Sequence, residues 1–463
     1  MKDIYKWWVL SIMTVFLVSC KITQKYQRPD MQVNGLYRDR LDTDTSSIGG
    51  MPWDTFFTDS LLQQLIIKGI NQNLDLKKGI ERIRASRAAF IQSKAVFLPD
   101  VAGNAGISRS RLSYPKGFGI INSTTQYDVG ISASWEADIW NKLGSAKRTA
   151  LAQLLKEEAA RKVVQTQIVA DIAGNYYLLL ALDQQLEVLE KTVLNRKEDA
   201  RAMKVLRESN VVNGAAVVQS EANQYAAEVE VPKLKRQIRA TENAINVLLA
   251  EPPGIVRRSS LAEQQINTAS LQIGVPAMLL KNRPDVQQAE YAFRAAFENT
   301  NIARTYFYPS FNITGAIGFS SYSFKEWFSA AGFFANIAAG LAQPILNKGQ
   351  NKARLEIARS RQQESLLNYQ QSLIIAGQEV SDALYDYHTA ADQQIIRYKQ
   401  LKALEKSVDF TKKLLRYSTT TNYTDVLTSE QNLLSAQLDN INDRLSEWRA
   451  LINLYRALGG GWQ

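Results

Sequence analysis

One cysteine and one histidine occur among the 463 residues, Cys20 and His388, so the chemistry open to this chain is narrow. A lone thiol closes no disulfide within the chain, and one thiol with one imidazole falls short of the ligands a zinc site needs. His388 ends Tyr385-Asp386-Tyr387-His388 inside a long helical pattern, which makes it a helix-surface residue rather than a ligand or general base. No phosphate-binding glycine loop and no Ser/His/Asp set stands out. The expectation is a protein without enzymatic activity, cofactor or metal.

Cys20 has a different use. Lys2 and Lys6 precede an apolar run from Trp7 to Val18, too short to span a bilayer as a stable helix, so residues 1–19 read as a signal peptide. Leu17-Val18-Ser19-Cys20 has the order of a bacterial lipobox, in which cleavage before the cysteine leaves its thiol to carry lipid. An ordinary signal peptide with an incidental cysteine would share the apolar run but not this spacing. Residues 20–52 then form an acylated N-terminal extension. Lys21 is not the aspartate that holds lipoproteins at the inner membrane in enterobacteria, which permits an outer-membrane destination. The formal net charge of +10 comes from lysines and arginines scattered among acids along helices. For an exported chain that distribution means solvated helix faces, not nucleic-acid binding.

The elements around these residues come in two copies. Leu98-Pro99-Asp100 recurs as Tyr308-Pro309-Ser310, and Ile131, Ala133, Ile139, Asn141 and Lys142 recur as Ile337, Ala339, Ile345, Asn347 and Lys348. Arg207, Ser209, Asn213, Val217, Ser220 and Glu221 recur as Arg416, Ser418, Asn422, Val426, Ser429 and Glu430. An offset of 206 to 210 residues is too long for a solenoid unit and reads as a duplicated architecture. The first repeat covers 53–250 and the second 277–463, with a polar linker over 251–276.

Each copy holds two strands, expected at about 99–112 and 124–137 and at about 309–321 and 331–343. From Thr125 to Glu136 apolar and polar residues alternate strictly, Tyr127, Val129, Ile131, Ala133 and Trp135 against Gln126, Asp128, Gly130, Ser132 and Ser134. A soluble half-buried sheet would alternate in the same way. An exported, acylated chain with aromatic residues near its strand ends favours a transmembrane β-barrel. Four strands cannot close, and open edges leave backbone groups unpaired in lipid. Other copies must complete the barrel, and three give twelve strands.

Long helices follow the strands, at about 142–208 and 347–417, neither containing a proline. Each reaches roughly 100 Å at about 1.5 Å per residue. Ile168, Ile172, Tyr176, Leu179, Leu186, Leu189 and Val193 lay a coiled-coil-like stripe on the first. Shorter antiparallel partners are expected over about 54–97, 214–250, 283–306 and 424–458. The long helices return through polar turns containing Ser209, Asn210, Asn213 and Gly214, and Ser418 and Asn422, at the ends farthest from the strands. Tyr176 and Tyr177 read as packing, and Gly459-Gly460-Gly461 as a flexible end.

Trp53-Asp54-Thr55-Phe56-Phe57 with Asp59, Trp135-Glu136-Ala137-Asp138-Ile139-Trp140, Arg283-Pro284-Asp285-Val286 and Leu341-Ala342-Gln343-Pro344-Ile345-Leu346 occur in this order. With the lipobox and the duplication, they resemble the TolC-like outer-membrane efflux proteins, in particular the lipoprotein branch often called NodT. The resemblance runs from about Trp53 to Gly460. It implies a mainly α protein with a transmembrane β-barrel segment, a homotrimer whose twelve strands open through the outer membrane above an α-helical periplasmic barrel. It further implies a passive duct, lipid-anchored at Cys20, docked on a periplasmic adaptor (a membrane fusion protein) and fed by an inner-membrane RND-type pump. The family closes its periplasmic tip with a turn tyrosine and acidic residues. Tyr417 and Asp425 match, whereas Thr428 and Ala216 stand where acids are common. Asp425 also suits a helix N-terminus offsetting the dipole. The rival readings are a channel for type I protein secretion and a structural coiled-coil surface lipoprotein.

Overall fold

The computed structural model describes residues 22–31, 35–36, 47–111, 123–264, 279–417 and 423–463. Cys20 and the second polar turn, with Ser418 and Asn422, lie outside them. Helices α1 (Trp53–Phe56), α2 (Ser60–Gln72) and α3 (Leu74–Ala95) lead to strands β1 (Asp100–Arg111) and β2 (Ser123–Ala137). Helices α4 (Lys142–Glu208), α5 (Gly214–Leu248), α6 (Leu279–Asn282) and α7 (Pro284–Thr305) follow. Strands β3 (Ser310–Ser321) and β4 (Phe333–Ala342) then precede α8 (Gln350–Tyr417) and α9 (Tyr423–Ala457). Contacts divide the chain into one unit of residues 1–30, 82–157 and 289–369 and a second of 31–81, 158–288 and 370–463.

The first unit holds a four-stranded antiparallel sheet in the order β1-β2-β3-β4, so the β2–β3 ladder joins the two copies. The junctions with the helices are built from the tryptophan motif. Asp138 accepts from the backbone N–H groups of Leu143 (2.9 Å) and Gly144 (2.8 Å), capping α4. Asn141 takes a left-handed φ of 59° to make the corner, and in the second copy Lys348, one residue past the counterpart of Asn141, does so at 54°. Trp135 donates its indole N–H to the Phe97 carbonyl at 2.9 Å. The N-terminal segment lies on α7, where Tyr26 packs on Phe293 and Phe297 and Gln24 exchanges two hydrogen bonds with Asn301.

The second unit contains a large buried core. Ile172, Tyr176, Leu179 and Leu180 of α4 are fully buried with Phe57, Leu62, Ile66, Ile245 and Leu261. Tyr177 stacks on Trp448 at 4.1 Å and Phe56 on Tyr455 at 4.0 Å, so the aromatic pair on α4 is packing. Asp59 gathers this core: one oxygen caps Leu61 and Leu62, and the other accepts from Tyr176, Ser259 and Gln264. These bonds to the ionised form hold its carboxyl below the usual range although burial opposes them. Arg283 binds Asp285 at 3.0 Å, Glu379 at 2.7 Å and the Ala457 carbonyl at 2.9 Å. The Arg-Pro-Asp-Val motif is thereby a buried clamp at the start of α7.

Two expectations need correction. The single helix expected over 54–97 is three helices, because Asp59 and Asn73 cap new starts: Asn73 accepts from the N–H groups of Asp75 (2.8 Å) and Leu76 (3.2 Å). Gly459, Gly460 and Gly461 are buried rather than a flexible end. Gly459 takes φ 92°, and a Cβ there would stand 2.5 Å from the Asn282 carbonyl oxygen, so glycine is required. Trp462 then donates to that same carbonyl at 3.0 Å.

Candidate functional site

The strand register decides what the sheet can do. Asp128 pairs with Ser320, Ser132 with Ala316, Ser134 with Thr314 and Glu136 with Asn312, while Asn104 pairs with Gly130 and Thr314 with Ala338. Pairing preserves the alternation across all four strands, so these small and polar side chains share one face. Val101, Ile107, Val129, Ile131, Trp135, Ile313, Ile317, Ile337 and Leu341 share the other. In the single chain β1 is exposed along its whole length and β4 along nearly all of it. Among the described residues neither edge strand has a second neighbour. A sheet with one apolar face, one wet face and two unpaired edges suits a wall between lipid and water, completed by further strands.

Carboxylates sit on the wet face. Asp128 accepts from Ser320 Oγ at 2.7 Å and Gln126 Nε2 at 2.9 Å. Glu136, near the helices, is neutralised by Lys142 at 2.9 Å. Aromatic rings gather at the opposite end of the apolar face, where Tyr127 meets Phe324 and Trp327, and Phe319 meets Phe328 and Phe333.

At the far end of α4, Ser209, Asn210, Asn213 and Gly214 form one tight turn. Ser209 Oγ donates to the Val205 carbonyl (3.1 Å), Asn210 is left-handed at φ 58°, and Asn213 caps α5 by accepting from the Ala216 N–H (3.0 Å). Tyr417, at the last position of α8, is 78% exposed. Asp425 is exposed in the first turn of α9. Thr428 donates its hydroxyl to the Thr424 carbonyl (2.8 Å).

A charge cluster close by escaped the sequence reading. Arg196 binds Glu430 at 2.6 Å and stands 3.6 Å from Asp199, and Lys412 takes the other Glu430 oxygen at 2.6 Å. Burial, then the Glu430 charge, pushes the Asp199 carboxyl up to about 6. Burial likewise pushes the neighbouring Tyr423 hydroxyl up to about 12. Recurrence of Glu221 as Glu430 was the available signal: each pairs with a lysine of the preceding long helix, Glu221 with Lys204 at 2.8 Å.

Among the described residues no group of three or more His, Cys, Asp or Glu could hold a metal, and His388 is exposed on α8. No described helix is long and apolar enough to cross a membrane.

Known proteins show the same design. The family described as outer membrane efflux protein matches residues 65–251 and 275–460. SilC of Salmonella typhimurium, named a probable outer membrane lipoprotein, is 27% identical over 99% of both chains. CusC of Escherichia coli, named a cation efflux system protein, is 26% identical over 96% of this chain and 97% of its own. TtgC of Pseudomonas putida, named a toluene efflux pump outer membrane protein, is 29% identical over 98% of this chain and 95% of its own. A solved structure of CusC, from work on transmembrane channel formation, superposes with a TM-score of 0.84 at 26% identity, covering 95% of this chain and 99% of that one. The duplicated halves, the two-faced sheet and the long helices are those of an outer-membrane channel rather than an enzyme, and the chain belongs to the outer membrane efflux protein family.

Proposed function

We propose that three copies of this chain form the outer-membrane exit duct of a tripartite efflux pump. Their four-stranded sheets close a twelve-stranded barrel, and the duct passively conducts small molecules, drugs, toxic compounds or ions, across periplasm and outer membrane. The observation that carries this reading is the sheet itself, with the outer edges of β1 and β4 unpaired among the described residues and its other face made of small and polar residues. Closure by other copies is the arrangement that satisfies those edges in lipid. An RND-type pump in the inner membrane and a periplasmic adaptor deliver the cargo to the helical tip, and the pump supplies the energy. Relatives named for cation and toluene efflux support a duct that leaves selection to its pump.

The lipid anchor falls at Cys20. In support, Thr23 accepts a hydrogen bond from Asn141 at 3.1 Å, where β2 meets α4, and this brings the chain to the base of the strands three residues after the cysteine. Tyr417, at the end of α8, and Asp425, in the first turn of α9, narrow the periplasmic entrance.

Purified protein tests the reading directly. The detergent-corrected mass is expected at three chains, and planar bilayers are expected to show single-channel currents. A monodisperse single chain, or particles that insert without conducting, would overturn the duct.

A further inference from the structure

The apolar face of the sheet does not stay apolar to its end. Along β1 it runs Val101, Gly103, Ala105 and Ile107, then Arg109 and Arg111. The stretch from Val101 to Ile107 is about 20 Å long at ~3.4 Å per residue, roughly 15 Å of membrane depth for a strand tilted about 40°, and Trp135, opposite the residue before Asp100, extends the apolar face further toward the helices. Both arginines follow the last apolar residue of this face, at the outer margin of the band and at the end remote from α3 and α4. They are exposed, and among the described residues neither has an ion-pair partner.

Next to them is a shelf of rings. Arg109 pairs with Thr125 and Ile107 with Tyr127, which makes Tyr127 the diagonal neighbour of Arg109 on this face. Tyr127 packs on Phe324 at 5.5 Å and Trp327 at 5.4 Å, and Trp327 stacks on Phe328 at 5.0 Å. Two guanidinium forks beside an aromatic and aliphatic surface match a ligand with phosphate at one end and acyl chains at the other.

The two ends of the sheet differ in this respect. Near the helices the same face carries Trp135, Phe311 and Leu341, and no strand residue there is cationic. A glycerophospholipid of the inner leaflet would meet that uncharged end. The arginine end meets the outer leaflet, where the abundant lipid is a phosphorylated glycolipid.

We propose that Arg109 and Arg111 bind the phosphate groups of lipid A, the headgroup of lipopolysaccharide, with its acyl chains lying along the Val101–Ile107 strip and the Tyr127 shelf. This rests on the barrel reading, in which that face meets lipid.

The full chain, purified in detergent as its native oligomer, is titrated with bisphosphorylated lipid A, with dephosphorylated lipid A and with phosphatidylglycerol, and retained lipid is counted by native mass spectrometry. The wild type is expected to retain bisphosphorylated lipid A about tenfold better than either comparison lipid, as charge-assisted bonds to phosphate require. The Arg109→Gln/Arg111→Gln variant is expected to lose that preference, and the Arg109→Lys/Arg111→Lys variant to keep part of it. Both are expected to conduct as the wild type does. Should the double glutamine variant fail to insert, the single variants Arg109→Gln and Arg111→Gln carry the test, each with a reduced preference. Equal retention of the two lipid A forms, an unchanged preference in the glutamine variants, or an equal hold on phosphatidylglycerol would overturn the site. A wild type that conducts without preferring lipid A overturns the site alone, whereas one that never conducts overturns the barrel as well.

Discussion

The Trp140 indole N–H donates to the Pro309 carbonyl at 2.7 Å, fastening the end of β2 in the first copy to the entry of β3 in the second. The ring also packs on Tyr308 at 5.2 Å. Trp140→Phe keeps an aromatic ring and deletes the donor. The expected loss is about 1 kcal/mol, seen as a drop of a few degrees in the unfolding temperature followed by near-ultraviolet circular dichroism. No change would mean that the strand ladder alone fixes the junction.

Asp199 gives the fold a pH dependence with a definite sign. Burial and the Glu430 charge push its carboxyl from the ordinary aspartate value up to about 6, so the folded state holds the proton more tightly. Stabilisation from this group is complete below the unfolded value and is lost as pH rises through about 6. Asp199→Asn imitates the protonated form. It is expected to raise the unfolding temperature at pH 7.5, with the advantage shrinking as pH falls toward 5. A constant difference across that window would show that Asp199 titrates elsewhere.

Charge on the wet face sets ion preference if that face lines water. Asp128→Asn keeps an oxygen to accept from Ser320 and removes the charge. The cation-over-anion permeability ratio, read from reversal potentials in a salt gradient, is expected to fall. An unchanged ratio would place selectivity away from the strands.

Tyr417, the last residue of α8, and Asp425, in the first turn of α9, are exposed to solvent, and the proposed entrance is tested through them. Replacing both with alanine is expected to raise single-channel conductance. A conductance equal to the wild type would remove them from the gate.

Cys20→Ala is expected to abolish incorporation of labelled palmitate while leaving the purified channel able to conduct. Continued labelling would assign acylation to another residue.

Much of the architecture is legible in the sequence because it repeats. Val217, Ser220 and Glu221 and their counterparts Val426, Ser429 and Glu430 do the same work: the valines are buried, each serine donates to the carbonyl three residues back at 2.8 Å, and each glutamate holds a lysine. Period two showed the faces of the strands for the equally local reason that side chains alternate. What stayed hidden is assembled from distant positions. Asp59 meets Tyr176 across 117 residues and Gln264 across 205, and no spacing rule reaches that far. The breaks at Asp59 and Asn73 were readable as helix caps, but a continuous run of helix formers outweighed them. The glycines at 459–461 look like a loose tail until the carbonyl of Asn282 is placed against them.

The order of the sheet also sets a timetable. Asn104 and Ser132 in the β1–β2 hairpin are 28 residues apart, but Asp128 and Ser320 across the β2–β3 ladder are 192 apart, with α4 and α5 between them. Loop closure over so long a span is slow, whereas helices form from local contacts. A newly exported chain therefore acquires its helices well before its sheet. During that interval it has two hairpins with unpaired edges and exposed apolar faces, the surfaces that holding chaperones capture. The span that α4 and α5 impose on the β2–β3 ladder thus lengthens the time for which those surfaces stay open.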